Sequence, residues 1–216
     1  MPEISTAPRE RPILFSGPMV RAILGGRKTV TRRVIKPVFP ASITEVLLYV
    51  NAPGAWMPPK PHNPDEPWDE QMRICPYGQP GDRLWVRETW MDLRGTGVEH
   101  RPTPDSPLQR YAYGADSPPG SASDEARKDF GLKWRPSIHM PREACRIRLE
   151  ITDVRAERLH DITVEQIIAE GLSTNLREYD AECDLRRQWR ELWESAGGDW
   201  ESNPWVWAIS FKRVTP

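Results

Sequence analysis

The sequence predicts an α+β domain built on a mixed or antiparallel, partly closed sheet, with short flanking helices and two long proline- and glycine-rich insertions. Three observations lead there. Several segments alternate apolar and polar residues with the period of a strand, others repeat apolar residues at helical spacing, and their order lacks the regular strand-helix alternation of a parallel sheet. At 216 residues the chain sits near the upper range of one ordinary domain, about 100 to 200 residues. One domain over 1–216 is therefore expected, with insertions at about 38–80 and 91–141.

In order, "RPILFSGPMVRAILGG" reads as a short strand at Ile13 to Phe15 and then a helix. Ser16 is placed to cap that helix, Pro18 fits its first turn, and Met19, Val20, Ile23 and Leu24 form its apolar face until Gly25 and Gly26 stop it. "TVTRRVIKP" is rich in β-branched residues and predicts a strand from Val30 to Ile35. After the first insertion, "DRLWVRETW" alternates so that Leu84, Val86 and Glu88 share one face, a strand carrying an inward-facing acid. After the second, "CRIRLEITDVRAERL" is a strand with Ile147, Leu149 and Ile151 on one side. "DITVEQIIAEGL" carries a capping box, Thr163 with Gln166, and a Gly171 stop. A longer helix follows with Leu185, Trp189, Leu192 and Trp193 on one stripe, and "NPWVWAISFKRV" closes the chain as a strand.

Composition narrows the functions. Thirty Lys plus Arg against 31 Asp plus Glu leave a net charge of -1, so nothing global draws the chain to nucleic acid or an anionic membrane. No basic leader precedes an apolar run, no stretch approaches the roughly 18 apolar residues of a membrane span, and Cys75, Cys145 and Cys183 are odd in number and far apart. A cytoplasmic protein without a disulfide framework is expected. His62, His100, His139 and His160 show no metal-ligand spacing, no two cysteines form a pair, and neither a P-loop nor a nucleophile elbow occurs. No metal or other cofactor is expected.

The chemistry concentrates in "GGRKTVTRR", Gly25 to Arg33. Six basic residues and no acids lie between Arg21 and Lys36, more than the dipole of one helix end requires. Desolvation, with Arg27, Arg32 and Arg33 nearby, favours the neutral amine of Lys28 and so allows it to act as a base. Thr31, three residues on, offers a hydroxyl that becomes nucleophilic once an adjacent base takes its proton. Glu170 occupies the last turn of its helix, where the dipole disfavours a carboxylate by about 0.3 to 1 kcal/mol; that placement suits a proton carrier. Glu88 is the competing acid, equally readable as an ion-pair partner of an arginine.

"GRKTVTRR" after its apolar helix, the "GDRLWV" strand, the "AEGL" helix end and the closing "WVWAISFKRV" strand together resemble the ASCH domain family. The longer stretches "LFSGPMVRAILGGRKTVTRRVIKP" and "CPYGQPGDRLWVRETW" look most like its phage and prophage members. The resemblance implies a PUA-like fold, a small mixed β-barrel with flanking helices. The family pattern G-x-K-x-x-E-x-R has Glu where this chain has Thr31; the Lys-x-x-Thr version looks like the small bacterial N4-acetylcytidine amidohydrolases. Carried over by position, their lysine, threonine and glutamate fall on Lys28, Thr31 and Glu170, and the arginine of the pattern on Arg33. The two insertions lie outside the resemblance.

The resulting expectation is a metal-independent amidohydrolase that removes the acyl group from an N4-acylated cytosine nucleoside or base. Lys28 takes the proton of Thr31, Thr31 attacks the acyl carbon, and Glu170 orients Lys28 and returns a proton to the departing amine. Arg33, or the backbone N–H groups after Gly26, would hold the oxyanion. Arg27, Arg33, Glu88 and Trp90 are the expected substrate contacts, with Trp56, Trp68 and Tyr77 as further stacking candidates; taken singly, each aromatic is expected to pin a loop to the core. The rival is an RNA-binding PUA-like module or ribonuclease, whose Arg21 to Lys36 cluster grips phosphate.

Overall fold

The computed structural model describes residues 8–40, 42–49, 54–59, 67, 71–97, 105 and 108–214. The chain folds into an α+β structure whose main sheet has the order β1 (Glu10–Leu14), β6 (Arg83–Arg87), β9 (Arg148–Arg158), β10 (Trp205–Val214), β2 (Val30–Val34). β1 runs parallel to β6, and every other pairing in this sheet is antiparallel. The sheet is open: β1 and β2 are its edges, and no pairing among the described residues closes it into a barrel.

The two long strands β9 and β10 form the spine, with a register shift between Ser210 and Phe211. "WVWAISF" is apolar almost without alternation because β10 is buried on both faces. One face carries Trp205, Trp207, Ile209 and Phe211, packed with Ile13 and Phe15 of β1, Val20 and Ile23 of α1 (Gly17–Leu24), and Leu84 and Val86 of β6. From the other face Val206 joins Ile167 of α3 (Val164–Ala169) and Leu185, Trp189 and Trp193 of α4 (Glu178–Ser195). The expected stripe on α4 is thus the stripe that covers the sheet. Each such side chain contributes about 1.5–3 kcal/mol on burial.

Helix boundaries follow their local signals. Thr163 and Gln166 complete the capping box of α3 in both directions. Ser16 stands at the N-cap of α1 but its side chain makes no capping bond, so Pro18 and the packed apolar face hold that helix instead. The expected strand at Ile13 to Phe15 begins earlier, at Glu10, where parallel pairing to Arg83 fixes it.

Both insertions carry structure. Within the first, β3 (Leu47–Leu48), β4 (Ala55–Met57) and β5 (Arg73–Ile74) form a small antiparallel sheet. Phe39, Ile43, Val46 and Cys75 press it against the main core. Within the second, β7 (Trp90–Asp92) pairs with β8 (Tyr111–Tyr113), and α2 (Ala122–Asp129) is capped by Ser121. A cavity of about 340 Å³ between hairpin and helix is lined by Met91, Leu93, Tyr113, Phe130 and Trp134. No described helix is long and apolar enough to cross a membrane.

Candidate active site

Glu170 and Lys28 are far apart in sequence and meet through the backbone first. At the end of α1, the N–H groups of Arg27 and Lys28 both donate to the Ala22 carbonyl, which turns the chain sharply toward β2. Thr29 N–H then donates to the Ala169 carbonyl, and Lys28 and Glu170 form an isolated antiparallel bridge. Gly171 makes the approach possible: its φ is +96°, and a Cβ there would lie 2.8 Å from Ala22 Cβ and 3.1 Å from Lys28 Cβ.

With the segments docked, Lys28 Nζ donates to Glu170 Oε2 at 2.5 Å and to the Glu170 carbonyl at 3.0 Å. The other carboxylate oxygen, Oε1, accepts from Arg32 at 3.2 Å. Both residues are sealed from solvent, Lys28 at 2% and Glu170 at 3% exposure. Burial pushes the Lys28 amine below its ordinary value, Glu170 opposes that shift, and the Arg33 and Arg32 guanidiniums add to it. An ammonium has three donors; two are spent on Glu170.

Thr31 lies on β2, three residues on from Lys28. Thr31 pairs with Ile209 and Arg33 with Trp207, so both project from the face of the sheet that holds Phe15, while Arg32, opposite Ala208, projects from the other. The Phe15 ring lies by both Lys28 and Arg33: Lys28 Nζ is 5.8 Å and Arg33 Cζ 5.5 Å from its centroid. Thr31 is buried at 3% exposure and has no hydrogen bond to Lys28 among the described residues. Of the expected trio, two members are therefore in direct contact, and the third lies on the adjoining strand.

The other expected site residues separate. Arg33 donates to the Leu14 carbonyl at 2.6 Å and is half-buried beside Lys28, with its buried Nε unpartnered. Arg27 is exposed and folds back over the helix end near Gly25, and the cations that bear most on Lys28 are Arg33 and Arg32. The backbone N–H groups of Arg27, Lys28 and Thr29 are occupied by carbonyls, so the expected oxyanion donors after Gly26 are not free.

Glu88 is inward-facing at 1% exposure, and its carboxylate receives a two-armed grip from Arg146 at 2.9 and 3.0 Å. Burial pushes its carboxyl up despite Arg146. Arg146 in turn stacks 3.9 Å from the Tyr113 ring centroid and pairs with Asp116. Glu88 is thus the ion-pair partner of an arginine, the second of the two readings the sequence allows. Trp90 is buried in a separate cluster with Met140 and Ala144, where it packs on Tyr111 and does not face Lys28. Trp56 sits edge-on to Trp207, and Tyr77 packs on the same core; both pin the first insertion. Trp68, His62 and His100 lie outside the described residues. Among the described residues no three His, Cys, Asp or Glu side chains are grouped as a metal site.

Arg32 is the member that the sequence signals only as a neighbouring charge. It is 4% exposed and bonds Glu170, Glu157 and Gln166 at once. The chain matches no protein-family model, no curated protein and no solved structure.

Proposed function

We propose that the chain is a cytoplasmic, metal-independent amidohydrolase of ASCH type, built on a PUA-like scaffold, that removes the acyl group from N4-acylated cytosine nucleosides or bases. The observation that carries this reading is the 2.5 Å contact between Lys28 Nζ and Glu170 Oε2, both buried; the resemblance implies both residues, and helix-dipole reasoning singles out Glu170 independently. A lysine whose charge is disfavoured by burial gives up its proton more readily than a free one, which suits it to act as a base.

In the proposed reaction Lys28 passes a proton to Glu170 Oε2 and, as the free amine, takes the Thr31 hydroxyl proton while Thr31 Oγ1 bonds to the acyl carbon. Arg33 Nε, buried and unpartnered, stabilises the developing oxyanion. The bond from acyl carbon to N4 then breaks as Glu170 gives its proton to N4, and Lys28 keeps the proton taken from Thr31. Water cleaves the Thr31 ester with the same pair as base, releasing the carboxylic acid and restoring the hydroxyl. Because Lys28 and Glu170 are closed to solvent, substrate entry requires the half-buried Arg33 beside them to move aside. The RNA-binding alternative draws less support: Lys28 and Arg32 are committed to buried ion pairs and are withdrawn from any phosphate-gripping surface.

The test is ultraviolet monitoring of N4-acetylcytidine with the wild type and with Lys28→Ala, Thr31→Ala and Glu170→Ala. The wild type is expected to form cytidine with and without a chelator, and each folded variant to lose at least about 100-fold in rate. Wild-type turnover in the folded variants, or abolition by the chelator, overturns the reading.

A further inference from the structure

Arg32 has no exposed side-chain surface, and its fork reaches three acceptors on three parts of the fold. NH2 donates to Glu157 Oε2 on β9 and to Gln166 Oε1 in the first turn of α3, both at 2.9 Å. NH1 donates to Glu170 Oε1 at the end of the same helix. Gln166 and Glu170 are four residues apart and so stand on one helix face, and the same Gln166 oxygen accepts the Thr163 N–H of the capping box at 3.0 Å. Arg32 therefore clamps both ends of α3 to the sheet.

We infer that Arg32 is a positioning residue for the site: by holding Glu170 Oε1 together with Gln166 and Glu157, it fixes the carboxylate so that Oε2 stays on Lys28. Both oxygens of the buried Glu170 carboxylate need partners; with Arg32 gone, Oε1 loses a buried charged partner and the carboxylate turns to satisfy both oxygens elsewhere. Charge balance points the same way, since the cations Lys28 and Arg32 face the anions Glu170 and Glu157. Arg32 stays remote from the reacting atoms: it leaves the sheet on the face opposite Thr31 and stacks 5.9 Å from the Trp189 ring centroid. A lysine cannot replace it, because one ammonium does not reproduce a planar fork that reaches three acceptors.

The kinetic consequence rests on the proposed amidohydrolase reading; the geometric one does not. The test uses the full chain with Arg32→Lys, which keeps the charge, and Arg32→Gln, which removes it. Readouts are kcat and KM for N4-acetylcytidine, the pH profile of kcat, and the pH titration of the Lys28 side chain followed by NMR at its ε-carbon. The groups that bear on Lys28 are Glu170, Arg33 and Arg32. Both variants are expected to lose about 10–100-fold in kcat, the cost of a misplaced catalytic group, with KM changed less than about twofold because Arg32 does not touch substrate. In Arg32→Gln the acid limb and the Lys28 titration move together to higher pH, since a cation that disfavours the ammonium is gone; in Arg32→Lys that displacement is smaller while the kcat loss persists.

Folded variants with wild-type kcat and an unmoved Lys28 titration overturn the inference, as does a loss that lies wholly in KM. If the wild type does not turn over the substrate, the amidohydrolase reading falls, and the Lys28 titration alone decides the role of Arg32. If Arg32→Gln does not fold, Arg32→Lys decides it through the kcat and KM split.

Discussion

Replacing Gly171 by alanine tests the docking on which the site depends. The residue holds φ at +96°, and an added Cβ would stand 2.8 Å from Ala22 Cβ, 3.1 Å from Lys28 Cβ and 3.7 Å from Lys28 Cα. An L-residue forced into that backbone region costs about 1–2 kcal/mol. Overpacking against neighbours that cannot rotate away adds about 1–3 kcal/mol. The expected loss is about 2–5 kcal/mol, the sum of the strain and overpacking costs, or about 4–20 °C in Tm for a chain of this size, read by calorimetry. Gly197 is the control: its φ is +80° but a Cβ there meets nothing within 4 Å, so Gly197→Ala carries the backbone cost alone. Adding Ala22→Gly to Gly171→Ala removes the closest contact and is expected to recover part of the loss. If Gly171→Ala costs no more than Gly197→Ala, or if Ala22→Gly gives no recovery, the close approach of α1 to the end of α3 is wrong.

Three further outcomes follow from the ion pairs and caps. Lys28 has its amine pushed below the ordinary 10.5 by burial, so above its folded value the unfolded chain binds more protons than the native one; the stability of the wild type relative to Lys28→Met should rise as pH climbs toward 10.5 in urea titrations. Arg146→Met strands the Glu88 carboxylate, and a loss of about 2–3 kcal/mol is expected, below the full cost of breaking a buried pair because Arg146 keeps 25% of its side chain exposed; Glu88→Gln in the same chain should restore most of it. Thr163→Ala removes the hydroxyl of the capping box and should lower stability by about 1 kcal/mol, measured as a shift in urea midpoint.

The parts legible in the sequence are those whose signal is local. Leu84, Val86 and Glu88 alternate on one face because a strand has a period of two, and all three are buried in the structure. The capping box and Gly171 delimit α3 because backbone hydrogen-bonding groups at helix ends need partners. Glu170 is legible by its oddity, a carboxylate at the negative end of a helix, and the cations Lys28 and Arg32 that offset that position lie on other elements.

Arg32 is not legible, because nothing in a run of basic residues tells which one turns inward; its partners lie 125 to 138 positions away. The strands β3, β4 and β5 have two or three residues each, too short for a period to appear. Trp90 shows why an aromatic beside a candidate strand is weak evidence of a binding role: packing with Met140 and Tyr111 across the second insertion settles its place.

The most direct measurement is an acid-quenched reaction of the wild type with N4-acetylcytidine, followed by proteolysis and mass spectrometry of the peptide that contains Thr31. The proposed chemistry predicts one acetyl group on Thr31 during turnover, absent from Thr31→Val and from Lys28→Ala. Cytidine release that persists in folded Thr31→Val, or an acetyl group found on another residue, would contradict it.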